Sequence, residues 1–144
     1  MNIAIGSDHA GYLLKQWLKE QLTKIKFVDV GPFSEESVDY PDFAHKVAQT
    51  VNNEEGISFG ILICGSANGV AMAANKHANI RAAICWTDEI AKLAKTHNKA
   101  NIICIPARFV KKELALSMVT VFKDAKFEGG RHNIRVKKMA IVSN

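Results

Sequence analysis

Short unbroken apolar runs alternate along this chain with longer stretches whose apolar residues recur every three or four positions. Ile3–Gly6, Phe27–Val30, Phe59–Cys64, Ile80–Trp86 and Asn101–Ile105 have the length and composition of buried strands. Between them lie helical patterns. The first carries Leu13, Leu14, Trp17, Leu18 and Leu22, and the second opens at Tyr40-Pro41 and repeats through Phe43, Val47 and Val51. A third leads from the loop after Cys64 to Asn75, a fourth from a Thr87 N-cap to Thr96, and a fifth from Lys111 to Phe122. A strand without polar alternation has no face it can leave in water, so it must be covered on both sides. Strands and helices in strict alternation satisfy that demand as a parallel sheet between two helical layers. The expectation is one flavodoxin/Rossmann-like α/β domain over residues 1–144. It would be a three-layer α-β-α stack with a five-stranded parallel sheet and an extra C-terminal helix at Arg131–Ile141, after Gly129-Gly130. No internal repeat, linker or low-complexity stretch interrupts it.

Charge narrows the partners. The net charge of +5 is scattered, and its densest run is Arg131–Lys138. A basic stripe with aromatic platforms, as a nucleic-acid surface requires, is missing; a few arginines at one site suit a small phosphate ester. No apolar run reaches the roughly 20 residues of a membrane span, and the first residues do not read as a signal peptide. Cys64, Cys85 and Cys104 are odd in number and widely spaced, which points to reduced thiols in a cytoplasmic protein. Cys85 and Cys104 sit inside apolar runs and read as core.

In open parallel sheets ligands bind beyond the C-terminal strand ends, and the polar motifs fall there. Asp8-His9 follows the first strand: a carboxylate and an imidazole able to bind a hydroxyl and a phosphate, or simply a helix cap. Cys64-Gly65-Ser66-Ala67-Asn68-Gly69 follows the third. A thiol at a strand tip facing a helix N-terminus is expected to have a lowered pKa. The turn's N–H groups can form an anion nest. The alternative is a structural cysteine before an ordinary turn. His97-Asn98 closes the fourth helix, where a histidine can shuttle protons or cap the dipole. Arg131 and Arg135, four apart, share a helix face fit for bidentate phosphate binding or for solvent, and Arg108 can join the same anion. His45 and His77 read as surface residues. The dispersed histidines and unpaired cysteine spacing give no metal site. Gly-x-Gly-x-x-Gly and Gly-x-Ser-x-Gly are both absent, so neither a dinucleotide fingerprint nor a serine elbow is expected.

At these residues the chain resembles the type B ribose-5-phosphate isomerases and the related galactose-6-phosphate isomerase subunits. The resemblance rests on Gly-Ser-Asp-His-Ala-Gly at 6–11, Asp39-Tyr40-Pro41, Cys-Gly-Ser at 64–66, Ala74-Asn75-Lys76, Ile80-Arg81-Ala82, His97-Asn98 and Glu128-Gly129-Gly130-Arg131-His132, in the family's order over nearly the whole chain. It implies a metal-free, cofactor-free interconversion of ribose 5-phosphate and ribulose 5-phosphate through an enediolate. It also implies roles. Cys64 would move the proton between C1 and C2, since Val70 stands where other members carry a catalytic glutamate. Ser66 and the N–H groups of Gly65, Asn68 and Gly69 would steady the enediolate. Asp8 and His97 would assist ring opening, and Asn98 would bind a sugar hydroxyl. His9, Arg108, Arg131 and Arg135 would hold the phosphate, and Tyr40 would line the pocket. The resemblance further implies a homodimer or dimer of dimers with sites shared between subunits, Trp86 and the terminal helix being interface candidates. Two departures stand out: Ala67 where the family commonly has glycine, and Pro106-Ala107-Arg108 in place of a glycine-rich turn. The rival readings are an isomerase of a six-carbon sugar phosphate, and a non-catalytic phospho-ligand sensor.

Overall fold

The computed structural model describes residues 1–142. Five strands, β1 (Asn2–Ser7), β2 (Lys26–Asp29), β3 (Ile57–Cys64), β4 (Ala82–Ile84) and β5 (Ile102–Pro106), form one parallel sheet in the order β2-β1-β3-β5-β4. Relative to the flavodoxin order 2-1-3-4-5, the last two strands are exchanged. The described helices are α1 (Tyr12–Gln21), α2 (Tyr40–Asn53), α3 (Asn68–Ala74), α4 (Asp88–Thr96), α5 (Lys112–Asp124) and α6 (His132–Lys138), with a short 3-10 turn at His9–Gly11. None is long and apolar enough to cross a membrane.

The period-two geometry of the strands sorts the core into two layers. Ile3, Ile5, Phe59, Ile61, Ile63, Ile103 and Ile105 face α1, α4 and α5, where Leu18, Met118, Val119 and Phe122 meet them. Ala4, Leu62, Cys64, Ile102 and Cys104 face α2 and α3, against Val47, Val70, Ala71 and Ala74. Each fully buried branched or aromatic side chain contributes about 1.5–3 kcal/mol, so the two layers clamp the sheet from both sides. The crossover from β1 to β2 runs over one face, and that from β3 to β4 over the other. Their exits at the β1/β3 boundary therefore open a crevice.

Two expected elements come out shorter. β4 spans Ala82–Ile84 rather than Ile80–Trp86. Ile80 turns back onto the His77 carbonyl at 3.2 Å, and the Arg81 N–H goes to the Asn101 side chain at 2.8 Å, so neither joins the ladder. The terminal helix stops at Lys138 instead of Ile141.

One charged side chain lies wholly inside. Lys15 has no exposed surface; its Nζ donates to Asp29 Oδ1 and to the Pro32 carbonyl, both at 2.7 Å. Lys19 bonds the second Asp29 oxygen at 2.7 Å, and the Gly31 N–H donates to Asp29 at 2.9 Å. This knot fixes the start of the long connection from β2 to α2.

Candidate active site

The crevice at the β1/β3 boundary is assembled from backbone hydrogen bonds. The Asp8 N–H donates to the Ile63 carbonyl at 3.1 Å, which places Asp8 beside the end of β3. The Ala107 N–H donates to the Cys64 carbonyl at 2.9 Å, and the Arg108 N–H to the Gly65 carbonyl at 3.1 Å. Arg108 is thus tied to the Cys64 turn, and the Pro106-Ala107 departure does not loosen it. A Cβ built on Gly65 would lie 3.1 Å from Arg108 Nη1, so the guanidinium rests over the turn. A Cβ on Gly69 would lie 2.4 Å from the Tyr40 ring, which accordingly covers the first turn of α3. Ser66 Oγ accepts from the Asn68 N–H at 3.4 Å and from its Nδ2 at 3.2 Å. The His9 Nδ1 accepts from the Val38 N–H at 3.3 Å, which ties the imidazole to the β2–α2 connection.

Ala67 adopts φ 66°, the left-handed conformation that glycine takes freely. The loop keeps its shape and the alanine carries a strain of about 1–2 kcal/mol. Its buried methyl group offsets about 0.8 kcal/mol of that.

Asp8 fulfils the cap reading: Oδ1 accepts from the Gly11 N–H at 3.1 Å. Its charge also bears on Cys64. The expected depression of the thiol pKa is not what this chain sets up. Burial pushes the Cys64 thiol up, and the Asp8 carboxylate adds to that. The N–H groups of Val70, Ala67 and Ser66 pull the other way without prevailing. Cys64 is 4% exposed, and α3 has only seven residues, so desolvation outweighs the helix end.

The remaining candidates gather elsewhere. His97 is the C-cap of α4, its N–H donating to the Leu93 carbonyl at 2.9 Å, and Asn98 follows it. Helices of a parallel sheet run against the strands, so this end of α4 lies at the opposite end of the strands from Cys64. The Glu128 N–H donates to the Thr96 carbonyl at 3.0 Å and brings α6 to the same end. There the His132 ring stacks on His97 with centroids 4.1 Å apart, and both Nε2 atoms lie 3.7 Å from Glu128 Oε2. Burial, the neighbouring His97 and the arginines lower the His132 pKa. Arg131 and Arg135 are exposed, and Arg135 Nη1 donates to the Arg131 carbonyl at 3.1 Å. The expectation that Arg108 joins Arg131 and Arg135 on one anion therefore fails within a single chain. One end holds Asp8, His9, Tyr40, Cys64, Gly65, Ser66, Asn68, Gly69 and Arg108. The other holds His97, Asn98, Arg131 and Arg135.

His45 and His77 are not simple surface residues. Both are half-buried, and His45 Nδ1 lies 2.7 Å from His77 Nε2. Sequence reasoning also passed over Glu128 and His132 as companions of His97; their i,i+4 spacing across Gly129-Gly130 was the available signal.

An open parallel sheet with a thiol, a carboxylate and an N–H-lined turn at its switch point defines a small-molecule-binding α/β protein equipped for acid–base chemistry. The chain belongs to the Ribose/Galactose Isomerase family, whose model matches residues 3–139. It is 39% identical to ribose-5-phosphate isomerase B of Escherichia coli, over 97% of this chain and 95% of that protein. The structure of a ribose 5-phosphate isomerase from Thermotoga maritima superposes with a TM-score of 0.93 at 46% identity, covering 96% of each chain. The Mycoplasma genitalium ribose-5-phosphate isomerase B, solved with bound ribulose 5-phosphate, superposes with a TM-score of 0.91 at 42% identity, covering 96% of this chain and 93% of that one.

Proposed function

We propose that this protein interconverts ribose 5-phosphate and ribulose 5-phosphate. The observation that carries the reading is the placement of Cys64 at the switch point, beside Asp8 and beneath the N–H groups of its own turn. The chemistry is proton transfer alpha to a carbonyl. Cys64, as thiolate, takes the proton from C2 of the open-chain aldose and returns it to C1. The enediolate oxygens are met by Ser66 and the N–H groups of Gly65, Asn68 and Gly69; one fixed donor of this kind is worth about 3 kcal/mol in the barrier. Asp8 and His97 serve ring opening, Asn98 a sugar hydroxyl, and Tyr40 the pocket wall. His9, Arg108, Arg131 and Arg135 clamp the phosphate, which brings the carbon to the base.

The split between the two ends of the strands supports an assembly in which each site takes Cys64 from one copy and His97, Asn98, Arg131 and Arg135 from another. A homodimer, alone or paired, does this with one two-fold axis. Exposed Trp86, Ile134, Met139 and Ile141 give it apolar surface to bury. Three free, buried thiols fit a reducing compartment, and we assign the protein to the cytoplasm. The named relatives, all on five-carbon sugar phosphates, favour that substrate over a six-carbon one.

The test is a coupled ketose assay over a panel of aldose phosphates. Turnover should be greatest on ribose 5-phosphate. Cys64→Ala should lose turnover by several orders of magnitude and still bind the sugar phosphate; retained turnover removes the thiol from its role.

A further inference from the structure

The Ile80-Arg81-Ala82 motif takes no part in the chemistry assigned above, and its arginine has unusual company. The guanidinium is partly buried, which lowers its pKa. Among the described residues no carboxylate pairs with it. Its donors go to backbone carbonyls instead: Nε to Lys99 at 2.8 Å and Nη1 to Asn79 at 3.3 Å. Desolvating a cation with no counter-charge is unfavourable, and these charge-assisted hydrogen bonds are what offsets it.

Both carbonyls belong to residues in the left-handed region, Asn79 at φ 67° and Lys99 at φ 52°. Lys99 is the more strained of the two, since it lacks the tolerance that asparagine has for that region. It terminates α4: its N–H donates to the Lys95 carbonyl at 3.2 Å, and the Ala100 N–H to the Ala94 carbonyl at 3.0 Å. Helices commonly stop in this way on a glycine. The two residues immediately before Lys99 are His97 and Asn98, so its conformation decides how the end of α4 presents those side chains. Arg81 is itself anchored to the sheet. Its N–H donates to Asn101 Oδ1 at 2.8 Å, and its carbonyl accepts from the Asn101 N–H at 3.0 Å. Asn101 Nδ2 in turn donates to the Asn79 carbonyl at 2.8 Å. The guanidinium thus ties the strained end of α4 to the frame of β4 and β5.

We infer that Arg81 is a positioning residue for the reaction: by holding the Lys99 carbonyl it keeps His97 and Asn98 where the sugar meets them. The consequence for turnover rests on the isomerase reading; the placement of His97 does not. The experiment compares the full-length parent with Arg81→Met, which keeps the stem and removes the donors, with Lys99→Gly, and with the double variant. Urea unfolding checks that each is folded under assay conditions. Should Arg81→Met not fold, Arg81→Lys, which keeps the charge without the fork, carries the same test. In Arg81→Met, kcat on ribose 5-phosphate should fall about tenfold or more, as for a displaced catalytic group. Competitive inhibition by inorganic phosphate should stay within about twofold, because the phosphate ligands stand on other segments. Glycine takes the left-handed conformation freely, and the Lys99 side chain is exposed. Lys99→Gly should therefore alter the parent by less than about twofold and recover about threefold or more of the kcat lost in Arg81→Met. The ring resonances of His97, assigned by their loss in His97→Asn, should shift in Arg81→Met and return in the double variant. Parent-like kcat with unmoved His97 resonances overturns the inference. So does phosphate inhibition weakened as much as kcat, or a double variant that recovers nothing. A parent without ribose 5-phosphate turnover overturns the isomerase reading instead, and the His97 resonances then still decide whether Arg81 places the ring.

Discussion

A thiol must be ionised before it can take a proton from carbon, and Cys64 starts from a poor position. Burial and Asp8 hold its pKa above the ordinary thiol value of about 8.5. Below that pKa the thiolate fraction grows tenfold for each pH unit. We therefore expect kcat/KM to climb through neutrality and to keep climbing past pH 8, measured with constant ionic strength. A profile flat from about pH 6 to 9 contradicts a buried thiol as base. Gly65 offers a second check at this scale. Its missing side chain leaves room for the Arg108 guanidinium, 3.1 Å from where a Cβ would sit. Gly65→Ala pushes that flexible arm aside at little cost to the fold, so KM should rise about tenfold or more, as for a lost charge-assisted hydrogen bond. An unchanged KM would place Arg108 outside the phosphate clamp.

Among the elements, the β2–α2 connection depends on Lys15. Its ammonium joins Asp29 to the Pro32 carbonyl, and the same connection supplies Val38 to His9 and opens α2 at Tyr40. Lys15→Ala leaves a buried carboxylate with one partner fewer, and should destabilise the protein by about 3–5 kcal/mol in urea unfolding. A loss below about 1 kcal/mol would mean that the connection holds without it. Burial alone would raise the Asp29 pKa, but the two ammonium groups and the Gly31 N–H outweigh it and hold it below the ordinary carboxylate range. That stabilisation is present above the unfolded value of about 3.9 and disappears as pH falls through the lower folded value. The elements themselves were legible because apolar runs such as Phe59–Cys64 have no other way to be buried. The exchange of β4 and β5 was not, since strand order depends on which face each crossover takes. The short β4 was not either, because the side chain of Asn101 takes a backbone donor that the pattern at Ile80-Arg81 assigns to a strand.

For the whole molecule, what matters is that one chain carries two halves of a site at opposite ends of the sheet's strands. Motif spacing singled out Cys64 and His97 but could not say which candidates meet, and it passed over Glu128 and His132 beside His97. Sequence distance says nothing about which end of the strands a residue reaches, and the turn after a strand looks the same in sequence as the turn before one. His97 and His132, 35 residues apart in the chain, stack; Cys64 and His97, nearly as far apart, close a parallel strand and a helix that runs back along the sheet, and so lie at opposite ends of the strands. A two-fold assembly that joins the halves makes a sharp demand on mixed oligomers. Cys64→Ala and His97→Asn homo-oligomers, each inactive alone, are mixed, allowed to exchange subunits, and assayed for ribose 5-phosphate turnover. In each mixed pair one site carries both lesions and the other neither, so random exchange should restore about a quarter of the parent's activity. A mixture that stays inactive after proven exchange contradicts the shared site.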